Sequence, residues 1–195
     1  MGRTLPRARP SQGFGLMEAL VTLIILLLGL LGLVSLMLAS QRAEAESYQR
    51  AQALILLQDM VERINANRAA AGCYAITTDM ANGVPYLGVG AGAQPPCSLG
   101  SVQAYTLANS DIASWSRLLA GASETSGTSN VGAMTGARGC VSFNAVSNAY
   151  TVSVAWQGRN KTAAPVAGLP CGKGLYGDES QRRVVSTTLQ IANLN

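Results

Sequence analysis

Gly13-Phe14-Gly15-Leu16-Met17-Glu18-Ala19-Leu20-Val21-Thr22-Leu23-Ile24-Ile25 opens a run rich in Leu, Gly and Val that continues to Ala39. No charged residue occurs from Ala19 to Gln41. At about 1.5 Å of rise per residue, roughly 20 apolar residues cross the hydrocarbon core of a bilayer. The run therefore predicts a membrane-crossing helix. One acid, Glu18, stands inside it, five residues in when Phe14 is counted first. A short leader with Arg3, Arg7 and Arg9 and no acid precedes the run and ends at Gly13. An ionisable side chain inside a membrane helix costs a few kcal/mol or more, so Glu18 is a functional position by default. A secretory signal has an apolar core of only about 7–15 residues. The small-residue match Ala43-Glu44-Ala45 lies behind a charge, Arg42.

The chain of 195 residues leaves room for one modest globular domain beyond this segment. Its net charge is +4, but without the three leader arginines eleven basic side chains face ten acidic ones. Charge makes no case for nucleic acid binding. The leader arginines hold the N-terminus on the cytoplasmic side. The rest then faces an oxidising compartment, where disulfides persist. All four cysteines, Cys73, Cys97, Cys140 and Cys171, follow the apolar run. They allow three pairings; the shortest loops favour Cys73–Cys97 with Cys140–Cys171, and the sequence alone leaves the choice open. Their spacing matches no zinc motif, and the chain has no histidine. That absence also removes the usual general base and any Ser-His or Cys-His pair. Lys161 and Lys173 stand in loop-like contexts, and Asp178-Glu179 reads as a solvated turn. No catalytic constellation, cofactor site or metal site emerges.

Beyond the apolar run, Ser40 to Ala71 has no Pro or Gly and is rich in helix formers. Leu54, Leu57, Val61 and Ile64 define one helical face. Glu46–Arg50 and Asp59–Arg63 are i,i+4 pairs with the acid first. One helix is predicted from about Phe14 to Ala71, roughly 85 Å long, with Gly72 as its stop. Gly29 and Gly32 read equally as sites of close helix packing or as a weak point where the helix can melt. From Gly72 to Asn109, Asn82-Gly83 and Pro95-Pro96 mark turns and loops. Gly88-Val89-Gly90-Ala91-Gly92 is a flexible loop, because Pro95-Pro96 stands where a nucleotide-binding helix would open. Val102–Leu107 is predicted as a short strand. Asn109-Ser110-Asp111 is predicted as a helix N-cap, with Ile112, Trp115 and Leu119 on one side and Gly121 as the stop. Ala122–Gly139 reads as an exposed, mobile loop. Tyr150, Val152, Val154 and Trp156 alternate with polar or small residues, a half-buried strand. Cys140–Phe143 and Val184–Ile191 are its expected antiparallel neighbours. The apolar face of such a sheet and the stripe on the long helix cover one another.

The segment Gly13 to Glu18 resembles the cleavage motif of type IV prepilins. The resemblance implies that prepilin peptidase cuts between Gly13 and Phe14, that Phe14 is N-methylated, and that Glu18 guides assembly. Arg50-Ala51-Gln52-Ala53 leading to Asp59-Met60, then Arg63-Ile64-Asn65-Ala66-Asn67, is similar to the helix of PilV-type minor pilins. So are Trp115 after Asp111, the Tyr150–Trp156 strand and Arg182-Arg183-Val184-Val185-Ser186. The resemblance implies an α+β, pilin-like fold. It comprises a leader over 1–13, a transmembrane and assembly half-helix over 14–41, an amphipathic half over 42–71 and a β-rich domain over 72–195. It implies a non-enzymatic minor pilin in a priming or tip complex, supporting adhesion and twitching motility. The expected partners are the peptidase, other minor pilins, the major pilin, the assembly platform and the bilayer. The expected location is the inner membrane with a cytoplasmic N-terminus, then the pilus surface. A type II secretion pseudopilin and a membrane-tethered ligand-binding module are the rival expectations.

Overall fold

A computed structural model of the chain describes residues 15–123, 125–127, 129–130 and 134–191. Two compact units divide it, residues 1–43 and residues 44–195. Helix α1 spans Leu16–Ala66. Its part in the first unit is largely apolar, and no residue of its most apolar window is buried against the described residues.

In the second unit α1 presents a stripe of Gln49, Ala53, Leu57, Met60 and Ile64, all buried. The spacing of four, four, three and four is that of one helical face. It is rotated from the expected stripe: Leu54 is exposed, while Ala53 and Met60 are fully covered. Glu46 does not pair with Arg50. It accepts a bond from Arg183 Nε at 2.8 Å, because the sheet brings a guanidinium to it. Asp59 and Arg63 do pair, at 2.9 Å.

The α-helix ends at Ala66, earlier than Gly72, and a 3-10 helix runs from Arg68 to Tyr74. Asn67, with φ of −118° and ψ of 53°, stands at the break. Its amide donates to the Ala104 carbonyl at 2.8 Å and to the Tyr74 hydroxyl at 3.2 Å. These bonds pin the end of α1 to the Ala104 backbone and to the 3-10 helix.

Strand β1 is Leu87–Gly88 and helix α2 is Val102–Leu119. The expected strand at Val102–Leu107 and the expected cap at Asn109 are both wrong: these residues lie inside α2. Ser101 is the cap, its hydroxyl accepting from the Ala104 N–H at 3.3 Å. Gly121, with φ of 87°, follows the helix end, as expected.

The region expected to be one loop carries a small hairpin, β2 Thr125–Ser126 and β3 Ser129–Asn130. Met134 and Ala137 after it are buried. Strands β4 (Arg138–Asn144), β5 (Ala149–Gln157) and β6 (Arg182–Gln190) complete an antiparallel sheet of order β1-β4-β5-β6. Val141, Tyr150, Val152, Val154 and Trp156 meet the α1 stripe and the α2 residues Ile112, Trp115 and Leu119 in one core. The Trp115 indole N–H donates to the Leu56 carbonyl at 2.8 Å, tying α2 to α1.

Strand β5 is not half-buried. Its Ser153 and Ala155 are covered as well. The segment after β5 folds back over the outer face of the sheet, where Ala155, Cys140, Cys171 and Tyr176 form a second small core. The Cys140–Cys171 disulfide closes that segment; Cys73–Cys97 closes the loop before α2.

Candidate functional site

The expected processing residues Gly13 and Phe14 lie outside the described residues. Glu18 stands in the first turn of α1, and its backbone N–H donates to the Gly15 carbonyl at 2.9 Å. A helix N-terminus carries about half a positive charge, so an acid there is favoured by roughly 0.3–1 kcal/mol. The apolar side chains that follow, from Leu20 to Leu38, are exposed. A Cβ added to Gly29 or Gly32 meets nothing within 4 Å.

A second cluster fixes α1 against α2. Arg63 donates from Nε to Asp59 and from Nη1 to Asp111 Oδ1 at 2.7 Å. The other Asp111 oxygen accepts from the Tyr74 hydroxyl at 2.6 Å, and Asn67 completes the chain of bonds. Burial works against the Arg63 charge, but the two carboxylates overcome it and hold its pKa above the usual value. Burial first, and then the bond to Asp111, push the Tyr74 phenol well above the ordinary tyrosine range. The hydroxyl of Tyr74 stays a donor, and both Asp111 oxygens are occupied. Such a network positions elements; it leaves no group poised for proton transfer.

Beside it lies a groove of about 860 Å³ between α2 and the segment that leads to Cys97. Ile76, Pro85, Leu87 and Ile112 supply apolar walls, and Thr78, Asn109 and Ser116 supply polar groups. Arg117 lies at its lining without an ion pair among the described residues. Asn109 clamps its wall. Its side chain accepts from the Cys97 N–H and donates to the Cys97 carbonyl, both at 2.9 Å. Pockets of this size hold small ligands or short segments in other proteins.

Among the described residues, no group of three or more acidic, Cys or His side chains is placed to hold a metal. The acidic pair at Asp178-Glu179 is occupied: Asp178 pairs with Lys161 at 2.7 Å and Glu179 with Arg182. Lysine and backbone donors hold the Asp178 carboxyl well below the usual carboxylate range. Sequence reasoning found the Asp59–Arg63 pair but missed Tyr74, Asn67 and Asp111 as its partners. The bond from Arg63 to Asp111 spans 48 positions, beyond the reach of any local pattern. The groove was missed because Asn109 read as a cap, whereas the fold uses it as a clamp.

No curated protein and no solved structure matches the chain. Residues 35–112 match the family model described as Tt1218-like, Type IV pilin Tt1218. That stretch holds less than half of the chain, and it includes Asp59, Arg63, Tyr74 and Asp111 of the network and both cysteines of the first disulfide. The match, on a long N-terminal helix packed against a small antiparallel sheet, supports a type IV pilin.

Proposed function

We propose that this protein is a minor pilin of the PilV type, a non-enzymatic subunit of a type IV pilus. The observation that carries the reading is the pilin-family match over residues 35–112, which runs from the middle of α1 into α2. The apolar part of that helix has no cover among the described residues, while its second part presents a stripe buried beneath a disulfide-braced sheet. A bare apolar helix needs lipid or other helices around it; a filament of parallel subunits supplies the second after the membrane has supplied the first.

In this reading the chain is anchored by one helix with a cytoplasmic N-terminus. Prepilin peptidase cuts between Gly13 and Phe14, and Phe14 is methylated. The new α-amino group, with a pKa near 8, is largely protonated at neutral pH. It compensates Glu18, on the same or a neighbouring subunit, and so selects the axial register in which a subunit docks. Other minor pilins, the major pilin and the assembly platform are the partners, and the protein serves in the priming or tip complex that supports adhesion and twitching.

Intact mass and N-terminal sequencing of protein from membranes with and without the peptidase test this directly. The expected result is a mature chain beginning at methylated Phe14 only where the peptidase is present. A mature chain that begins at Met1 in both strains refutes it. Loss of twitching on deletion supports a pilus, whereas loss of enzyme export assigns the chain to type II secretion. The groove beside α2 favours one further reading, a tethered ligand-binding module; an uncut N-terminus would select it.

A further inference from the structure

We propose that the free edge of strand β6 accepts an extended strand from another polypeptide. The direction of its backbone groups follows from bonds two strands away. Thr77 N–H donates to the Val141 carbonyl at 2.8 Å, and Val141 N–H donates to Thr77 Oγ1 at 3.1 Å. Val141 thus turns both backbone groups away from β5. In an antiparallel ladder the two groups of one residue point the same way, and successive residues alternate. Val152, opposite Val141, therefore bonds towards β6, where it faces Thr187. Arg183, Val185, Thr187 and Leu189 bond inward to β5. Val184, Ser186 and Thr188 turn their N–H and C=O groups outward. The bonds at the strand end agree: Gln157 N–H reaches back to Thr135, and Gly158 N–H reaches forward to Gln181.

Among the described residues, no backbone group bonds the outward groups of Val184, Ser186 and Thr188. Nearby side-chain bonds, Arg183 to Glu46 and Gln190 to the Ser147 carbonyl, leave them free. Soluble proteins blunt such edges with charges, Pro, bulges or short strands. Here the register with β5 runs unbroken over nine pairs. From Val184 to Ile191 there is no charge, Pro or Gly. The two arginines at the start of β6 are consumed by Glu179 and Glu46. The opposite edge of the same sheet is closed, since β1 is two residues long and Thr77 caps Val141.

Backbone donors and acceptors repeating every two residues, about 6.8 Å, match only another extended backbone. The flanking side chains define the sequence it must carry. On the core face its neighbours are Val185 and Leu189, which call for apolar residues; on the outer face they are Ser186 and Thr188, which call for small or hydroxyl-bearing ones. A second β6 does not fit. Self-pairing about a twofold axis would run the α1 segments under the two sheets in opposite directions, while chains anchored in one membrane need them parallel. That last step rests on the anchoring reading above.

Amide hydrogen exchange on the full chain in detergent micelles tests the proposal, with a capped peptide of alternating Val and Thr between terminal lysines as the probe. In the free protein Val184, Ser186 and Thr188 should exchange fast, and Val185, Thr187 and Leu189 slowly. Saturating peptide should slow the first set by about tenfold or more. Thr188→Pro, or Ser186→Pro should the first variant not fold, removes one outward donor and should abolish that slowing while sparing the inward amides. Four results would each overturn the proposal: slow outward amides in the free protein, slowing confined to the groove at α2, slowing that survives both proline variants, or slowing that grows with protein concentration alone. None of them bears on where the N-terminus is cut.

Discussion

Gly139 is glycine for a steric reason. A Cβ built there would overlap Cη2 and Cζ3 of Trp115 and lie 2.6 Å from Leu119 Cδ1. Trp115 cannot step aside, since it is fully buried and tied to the Leu56 carbonyl. Gly139→Ala is therefore expected to cost about 1–3 kcal/mol, the range for overpacked cores, read by chemical denaturation in mild detergent. Tyr74 makes a second residue-scale prediction. Tyr74→Phe removes a donor to Asp111, which should cost about 1–2 kcal/mol at neutral pH. The fold raises the phenol pKa, so it favours the neutral form. The stability this contributes is whole below about pH 10, the unfolded value, and is lost as pH rises beyond it. Alkaline melting curves should fall less steeply for Tyr74→Phe than for the parent. Some slope should remain, because burial also raises Tyr150 and Tyr176.

At the scale of elements, the two faces of α1 are separable by experiment. Leu57 is buried and Leu54 is exposed. Leu57→Ala should cost about 2–5 kcal/mol, as deletions from a packed core do, and Leu54→Ala should stay within about 0.5 kcal/mol. Equal costs would mean that the stripe is misassigned. The segment folded over β5 depends on a covalent closure. Replacing Cys140 and Cys171 together by Ala should cost about 2–4 kcal/mol and open residues 158–181 to proteolysis, while leaving the α1 stripe protected. Strands were legible because Tyr150, Val152, Val154 and Trp156 alternate, and alternation is the direct trace of a pleated strand. The start of α2 was not. Val102-Gln103-Ala104-Tyr105-Thr106-Leu107 lacks a clean period, and the run expected to be a strand is helical. Ser101 caps it, and Asp111 and Trp115 reach α1 from the helix it begins. The cap is a local signal that Asn109-Ser110-Asp111 drew attention away from, and the tertiary bonds then hold the helix against α1.

At the scale of the whole molecule, two units carry different burdens. Residues 44–195 hold the core, while residues 16–43 form the apolar part of α1, whose most apolar window has no residue buried against the described residues. Glu18→Ala should therefore leave the domain's melting temperature and the membrane insertion unchanged. On the proposed pairing with the N-terminus, it should sharply reduce recovery of the protein in sheared filaments. Recovery equal to the parent would dismiss the pairing role. The sequence by itself determined the apolar segment with its single acid, the amphipathic continuation, the β-rich second half and the four-cysteine framework. Each is written in consecutive residues, where composition and period are direct records of solvent. Only the tertiary structure decided which face of α1 is buried, what Arg63 binds, that both faces of β5 are covered and that one edge of the sheet stays open. Those depend on groups far apart in the chain meeting at one place, and no local period records such a meeting.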